Sequence, residues 1–198
     1  VYDLASLTKP LATVTAMALL VQRGRFRLDD RVDSVLHELQ AAAAGPSTLR
    51  QLLTHSSGLP GWRGFYEQLS PDASLPSFPE ARAEVGRQVL HMIAEEGLIY
   101  GRGERSLYSD LGFMLLGLIV ERLSGTPLDR FVREQIVQSL NAQPLCFLPT
   151  DSEGESRKNL MIGSIAPTER DFWRGRLLCG EVHDENAFAL GGIAGHAG

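Results

Sequence analysis

Ser6 and Lys9 stand three residues apart at the start of a strongly patterned apolar segment, Ser6-Leu7-Thr8-Lys9. On a helix that spacing puts both side chains on one face, so the ammonium nitrogen reaches the serine hydroxyl. At a helix N-terminus the dipole also favours negative charge developing on the serine oxygen. A desolvated amine beside a hydroxyl can help remove its proton, which is the chemistry of an activated nucleophile. An N-cap serine followed by a snorkelling lysine fits the same four residues. Lysine is rare in this chain, at Lys9 and Lys158 alone, and Lys9 falls in an otherwise apolar stretch. Burying an ammonium is costly without a partner or a task. The second candidate is Tyr108-Ser109-Asp110. A tyrosine held near a lysine can work as a general base toward a serine. Its plain alternative is a tyrosine at the rim of the core with Asp110 capping the next helix.

These residues need helices to hold them. Leu7, Leu11, Val14, Met17, Ala18 and Val21 recur at helical spacing from Ser6 to about Arg23, and Leu19 and Leu20 add a second apolar side. This helix is expected to have neighbours nearly all round and to stop at Gly24. A short helix is expected from Thr48 to Leu53, capped by Ser47 and closed at Ser56-Ser57-Gly58. Pro60, Pro71, Pro76 and Pro79 mark a long surface excursion. Helical periodicity returns from about Pro79 to Glu96, with Val85, Val89, Met92 and Ile93 on one face. Asp110 to Leu123 predicts another apolar helix stopped at Gly125, and Thr126-Pro127 opens one more, to about Leu140. No strand pattern is strong enough to name a sheet, so the chain reads as mostly helical.

Composition narrows the function classes. The chain has 198 residues, 43% hydrophobic and 22% charged, enough for one real core and too apolar for a disordered chain. With 24 acidic against 19 basic residues there is no basic excess to bind a nucleic-acid backbone. The longest apolar-leaning run, Leu11 to Val21, is too short to span a membrane. Cys146 and Cys179 make neither a disulfide framework nor metal-ligand spacing. His183, Asp184 and His196 lack the spacing that fixes a metal, so no metal or other cofactor is expected. His55 beside Ser56 and Ser57 has no nucleophile elbow around it and reads as a helix-terminal turn. Arg170, Arg174 and Arg176 read as a solvated or salt-bridged surface cluster. Val1 runs straight into the patterned segment, and Gly191 to Gly198 is a glycine-rich loop with nothing after it, so residues 1–198 read as an internal fragment of a single domain.

Together the motifs resemble the serine β-lactamase and penicillin-binding-protein superfamily, on its class C β-lactamase side. Ser6-x-x-Lys9 and Tyr108-Ser109-Asp110 carry the resemblance, and it extends to Asp3–Pro10, Leu49–Leu59 and Tyr108–Phe113. The tail, Val182–Ala187 and Gly191–Gly198, is similar to a D-alanyl-D-alanine carboxypeptidase-like branch. The resemblance implies an α/β, β-lactamase/transpeptidase-like fold with most of its central sheet outside this mostly helical chain. It implies that Ser6 is the acyl-accepting nucleophile, Lys9 its proton partner and Tyr108 the general base, with the Ser6 amide as one oxyanion donor. Asp110 takes the substrate-contact position where many relatives have Asn. An amide donates to a substrate carbonyl whereas a carboxylate only accepts, and a carboxylate near Lys9 favours Tyr108 as the base. The family's K-T-G motif is not in the chain; Gly195-His196-Ala197-Gly198 only superficially resembles it, and His196 reads as a residue of the glycine-rich loop.

The resemblance further implies a serine hydrolase acting on a D-Ala-D-Ala peptide, a β-lactam or an ester, in the periplasm or cell envelope. A non-catalytic penicillin-recognising or sensor domain is the competing class. Because the sheet strands are expected elsewhere, apolar side chains among Leu11 to Leu20 are predicted to lie exposed while Ser6, Lys9 and Tyr108 still converge.

Overall fold

The computed structural model describes residues 1–69, 77–142, 145–150 and 165–198. Pro71 and Pro76 of the proline-rich excursion lie outside them. The N-terminal segment is one rod built from three kinds of turn. A 3-10 turn, Ala5–Leu7, leads into a π-helical stretch, Lys9–Val14, and then into α1, Thr15–Gln22. The continuous α-helix expected from Ser6 is thus widened around Pro10, whose ring cannot donate to the helical ladder. Gly24 follows with φ +66°, as the stop at this glycine requires.

α2, Leu49–Leu53, is capped by Thr48 rather than Ser47. The Thr48 side chain accepts from the Gln51 amide, and Gln51 reaches back to the Thr48 amide, a reciprocal capping box. Ser47 is instead buried and accepts a hydrogen bond from Arg102. α3, Phe78–Glu95, starts at the Ser77 cap and buries Val85, Val89, Leu90 and Ile93, with Met92 only partly covered. α4, Asp110–Ser124, is the spine of the molecule. Nine of its residues are buried, from Leu111 to Val120, and it packs against α1, α2, α3, the π-helical stretch and α5, Leu128–Val132. Burying each such large side chain contributes about 1.5–3 kcal/mol relative to exposure. Gly125, at φ +68°, ends α4. A π-helical continuation, Arg133–Val137, and a turn carry this helical segment toward Leu140.

Among the described residues the only sheet is one antiparallel pair, β1, Arg170–Asp171, and β2, Arg176–Leu177. The arginine cluster that frames it is not all surface: the Arg174 side chain is buried, donating through Nε and Nη2 to Asp171 Oδ2 and also to the Val182 and His183 carbonyls. A short α6, Glu185–Ala189, follows, capped by Asp184.

The glycine-rich tail, 191–198, lies in the seam between the N-terminal rod and α4. Thr13 Oγ1 donates to the Gly195 carbonyl at 2.6 Å, and Thr8 Oγ1 to that of Gly198 at 3.1 Å. A Cβ on Gly195 would lie 2.2 Å from the Phe113 carbonyl oxygen, so only glycine fits between the two helices. The other face of the rod has no such cover among the described residues. Leu7, Leu11 and Val14 are 57%, 42% and 38% exposed, and Ala18 continues the stripe at helical spacing. The exposure predicted for this segment is present at Leu11 and Val14, whereas Ala16, Met17 and Leu20 are buried. No single described helix is long and apolar enough to cross a membrane; α4 and the segment after it pass together only across a 73° bend.

Candidate active site

Four chain segments meet at Lys9. The 3-10 turn supplies Ser6, the N-terminus of α4 supplies Tyr108 and Asp110, the glycine-rich tail supplies a carbonyl, and the turn after α2 supplies His55. Lys9 is buried, and its Nζ makes three polar contacts: 3.1 Å to Ser6 Oγ, 2.9 Å to the His196 carbonyl oxygen and 2.6 Å to Asp110 Oδ1. The last is an ion pair of close approach, not a well-directed hydrogen bond. The Tyr108 ring covers the same nitrogen, with its centroid 4.6 Å away, and the Phe113 ring lies at 5.7 Å. A buried ammonium is thereby satisfied by an anion, two oxygen acceptors and two π faces. The sequence-predicted set Ser6, Lys9, Tyr108 and Asp110 is brought together.

Ser6 is exposed while its partner is buried, so the hydroxyl faces an approaching reactant with the cation behind it. Tyr108 is half exposed at 51%. Its contact with Lys9 runs through the ring, and no hydrogen bond joins it to Ser6 or Lys9 among the described residues. Asp110 is not the cap of α4. Ser109 fills that place, accepting from the Gly112 amide at 3.2 Å and donating to the Pro60 carbonyl at 2.7 Å. The Asp110 amide donates to the Gly61 carbonyl at 2.8 Å, which leaves its carboxylate free to turn to Lys9.

Two contributions were not read from the sequence. His55 has a left-handed backbone, φ +56°, and its ring stacks against Tyr108 at 4.7 Å and Phe113 at 4.9 Å. Its Nδ1 accepts the Ser109 amide, and its own carbonyl accepts from the Leu107 amide and the Tyr100 hydroxyl. Burial, reinforced by the Lys9 charge, holds the His55 imidazole below its ordinary pKa. A neutral ring suits a nitrogen that accepts. The terminal-turn reading of His55 stands, and it is also the seat of Tyr108. The second contribution is His196, whose ring is buried and hydrogen-bonded to Asp184 Oδ1 at 2.8 Å. Burial pushes the Asp184 carboxyl up, but the hydrogen bond and charge of His196, the Ala187 amide and the Lys9 charge together hold it below the usual carboxylate range. His196 acts on the site through its carbonyl. The signal for it was the glycine-rich run itself, which marks close backbone approach without saying to what. No group of three or more His, Cys, Asp or Glu side chains stands close enough to hold a metal among the described residues.

Comparison with known proteins follows the same lines. An Escherichia coli (strain K12) protein named "Putative D-alanyl-D-alanine carboxypeptidase" is 35% identical across 100% of this chain and 46% of its own length. An N-acetylmuramyl-L-alanine amidase of Bacillus subtilis (strain 168) is 31% identical over 100% of this chain and 46% of its own. The chain therefore spans about half the length of the curated relatives it matches. Among solved structures, the octameric penicillin-binding protein homologue from Pyrococcus abyssi superposes with a TM-score of 0.65 at 28% identity, over 100% of this chain and 41% of that one. A D-stereospecific amidohydrolase from Streptomyces sp. shares the fold, with a TM-score of 0.68 at 24% identity over 99% and 56% of the two chains. The Beta-lactamase family model matches residues 1–168, and the chain belongs to that family.

Proposed function

We propose that this chain carries the nucleophile of a serine hydrolase that works through an acyl-enzyme at Ser6, with a D-Ala-D-Ala-type peptide as substrate. The observation that carries the reading is the buried Lys9 ammonium, joined at once to Ser6 Oγ, Asp110 and the His196 carbonyl under the Tyr108 ring. A cation fixed behind an exposed serine hydroxyl stabilises the oxygen as it gains negative charge in attack on a carbonyl. With its three contacts made, Lys9 acts as a donor and charge rather than as a proton acceptor. Tyr108, poised at the mouth, takes the serine proton and returns it to the leaving amine. Water then releases the acyl group from Ser6 by the reverse path. Asp110 acts by fixing Lys9, and its carboxylate suits acceptance from a substrate N–H rather than donation to a carbonyl. The family membership and the carboxypeptidase and amidase names of the relatives support a peptide substrate.

The Lys9–Asp110 pair also gives weight to a second reading. A lysine fully engaged by a carboxylate is compatible with a penicillin-recognising domain that forms an adduct without turnover. Rapid mixing of a chromogenic β-lactam or a D-Ala-D-Ala peptide with the protein from its complete reading frame separates the two. A burst followed by steady release supports the hydrolase, and a stoichiometric adduct with no steady phase overturns it in favour of recognition.

A further inference from the structure

We infer that Asp3 is a positioning residue for Ser6: its carboxylate holds the preceding residue, Ala5, in a left-handed turn and ties that turn to the segment that also fixes Lys9. This rests on the reading of Ser6 as the nucleophile. Ala5 has φ +46°, a region that costs a residue with a Cβ and that glycine occupies freely. Among the described residues only Ala5, His55 and Asn141 do this without being glycine, and two of the three border the site. Strain of this kind persists only where surrounding contacts over-determine it.

Asp3 supplies those contacts. Its Oδ1 accepts the Ala5 amide at 2.7 Å, and its Oδ2 accepts the His183 amide, also at 2.7 Å. The first bond alone is an ordinary aspartate turn. The second reaches across to a residue 180 positions away, on a segment that is itself held rigidly. Arg174, buried, donates to the carbonyls on either side of that amide, at 2.8 Å to Val182 and 2.5 Å to His183. The next residue, Asp184, caps α6 and accepts from the His196 ring, and the His196 carbonyl accepts from Lys9. The dipeptide His183-Asp184 therefore fastens both partners of the Ser6–Lys9 pair: the serine through Asp3 and Ala5, the lysine through His196. Their 3.1 Å separation is set from both ends. A carboxylate suits this place because it offers two acceptor oxygens to two amides that point inward from different segments.

The test compares the rate at which a fluorescent penicillin or fluorophosphonate acylates Ser6 in the protein from its complete reading frame. Asp3→Ala is expected to slow acylation at saturating probe about tenfold or more, with half-saturating concentration changed less than about twofold, because misplacing a reacting atom costs rate rather than binding. Adding Ala5→Gly to Asp3→Ala is expected to restore about fivefold or more, since glycine reaches the left-handed turn unaided. A merely structural aspartate would not be rescued there. Asp3→Asn keeps one acceptor but opposes an amide to the His183 N–H, and is expected to fall between wild type and Asp3→Ala; it carries the test if Asp3→Ala does not fold. Wild-type acylation in folded Asp3→Ala or Asp3→Asn, or a loss confined to half-saturation, overturns the positioning role. A wild-type protein that is not acylated at Ser6 overturns the nucleophile reading instead, and this role with it.

Discussion

Lys9 Nζ lies 2.6 Å from Asp110 Oδ1, with the two side chains only 4% and 16% exposed. As a helix cap alone, Asp110 would tolerate asparagine, which caps helices equally well, but Ser109 is the cap and Asp110 pairs with Lys9. Breaking a desolvated pair leaves its partner's charge uncompensated. Asp110→Asn keeps an acceptor oxygen but loses the charge, so it is expected to cost about 1–3 kcal/mol of stability. Urea denaturation checks this, and a midpoint equal to wild type would show that the pair contributes nothing net.

Tyr108→Phe keeps the ring that covers Lys9 and removes only the hydroxyl, so folding should be unaffected. The expected result is a kcat lower by about 10²-fold or more with KM nearly unchanged, the mark of a group that acts in the transition state. Steady-state kinetics on a D-Ala-D-Ala peptide read both numbers. A near-wild-type kcat would remove Tyr108 from the role of base.

His55 gives the site a dependence on pH. Burial and the Lys9 charge lower its pKa in the folded protein, so the unfolded chain takes up the proton first. Stability is then full above the unfolded value of about 6.5 and falls as pH drops from there toward the folded pKa. Thermal melts between pH 8 and pH 5 should show wild type losing more than His55→Asn, a variant that tolerates the left-handed backbone and does not titrate. Parallel curves would contradict this.

Gly195→Ala should be among the most damaging of the small substitutions. Its Cβ would meet the Phe113 carbonyl oxygen at 2.2 Å and the Gly117 amide nitrogen at 2.7 Å, both backbone atoms that cannot step aside. Forcing the tail away from α4 is expected to cost about 1–3 kcal/mol by overpacking. It should also shift the His196 carbonyl from Lys9 and slow acylation of Ser6. A calorimetric midpoint within a degree of wild type would show that the seam has slack.

The parts of the site legible in the sequence were those encoded locally. Ser6 and Lys9 share a turn, and Tyr108 and Asp110 share a helix start, so spacing and residue type were enough to single them out. α3 and α4 were legible for the same reason, through apolar periodicity closed by Gly125 after α4. What escaped depended on contacts between distant segments. The Thr48 cap is an exception, since Thr48-Leu49-Arg50-Gln51 has the local spacing of a capping box whereas Ser47 has Arg50 at the same offset. The burial of Arg174 and the seat that His55 makes for Tyr108 are set by tertiary neighbours, whereas the widening of the first helix comes from Pro10 itself. The glycine-rich tail announced close approach, but its partners, the rod and α4, lie far away in sequence.

The central claim is that Ser6 forms the covalent intermediate. The direct measurement is to react the protein from its complete reading frame with a fluorescent penicillin or fluorophosphonate, digest it, and map the adduct by mass spectrometry. The account predicts a single modified peptide carrying the label on Ser6, and no label in Ser6→Ala. Labelling at another residue, or labelling that survives Ser6→Ala, would contradict it.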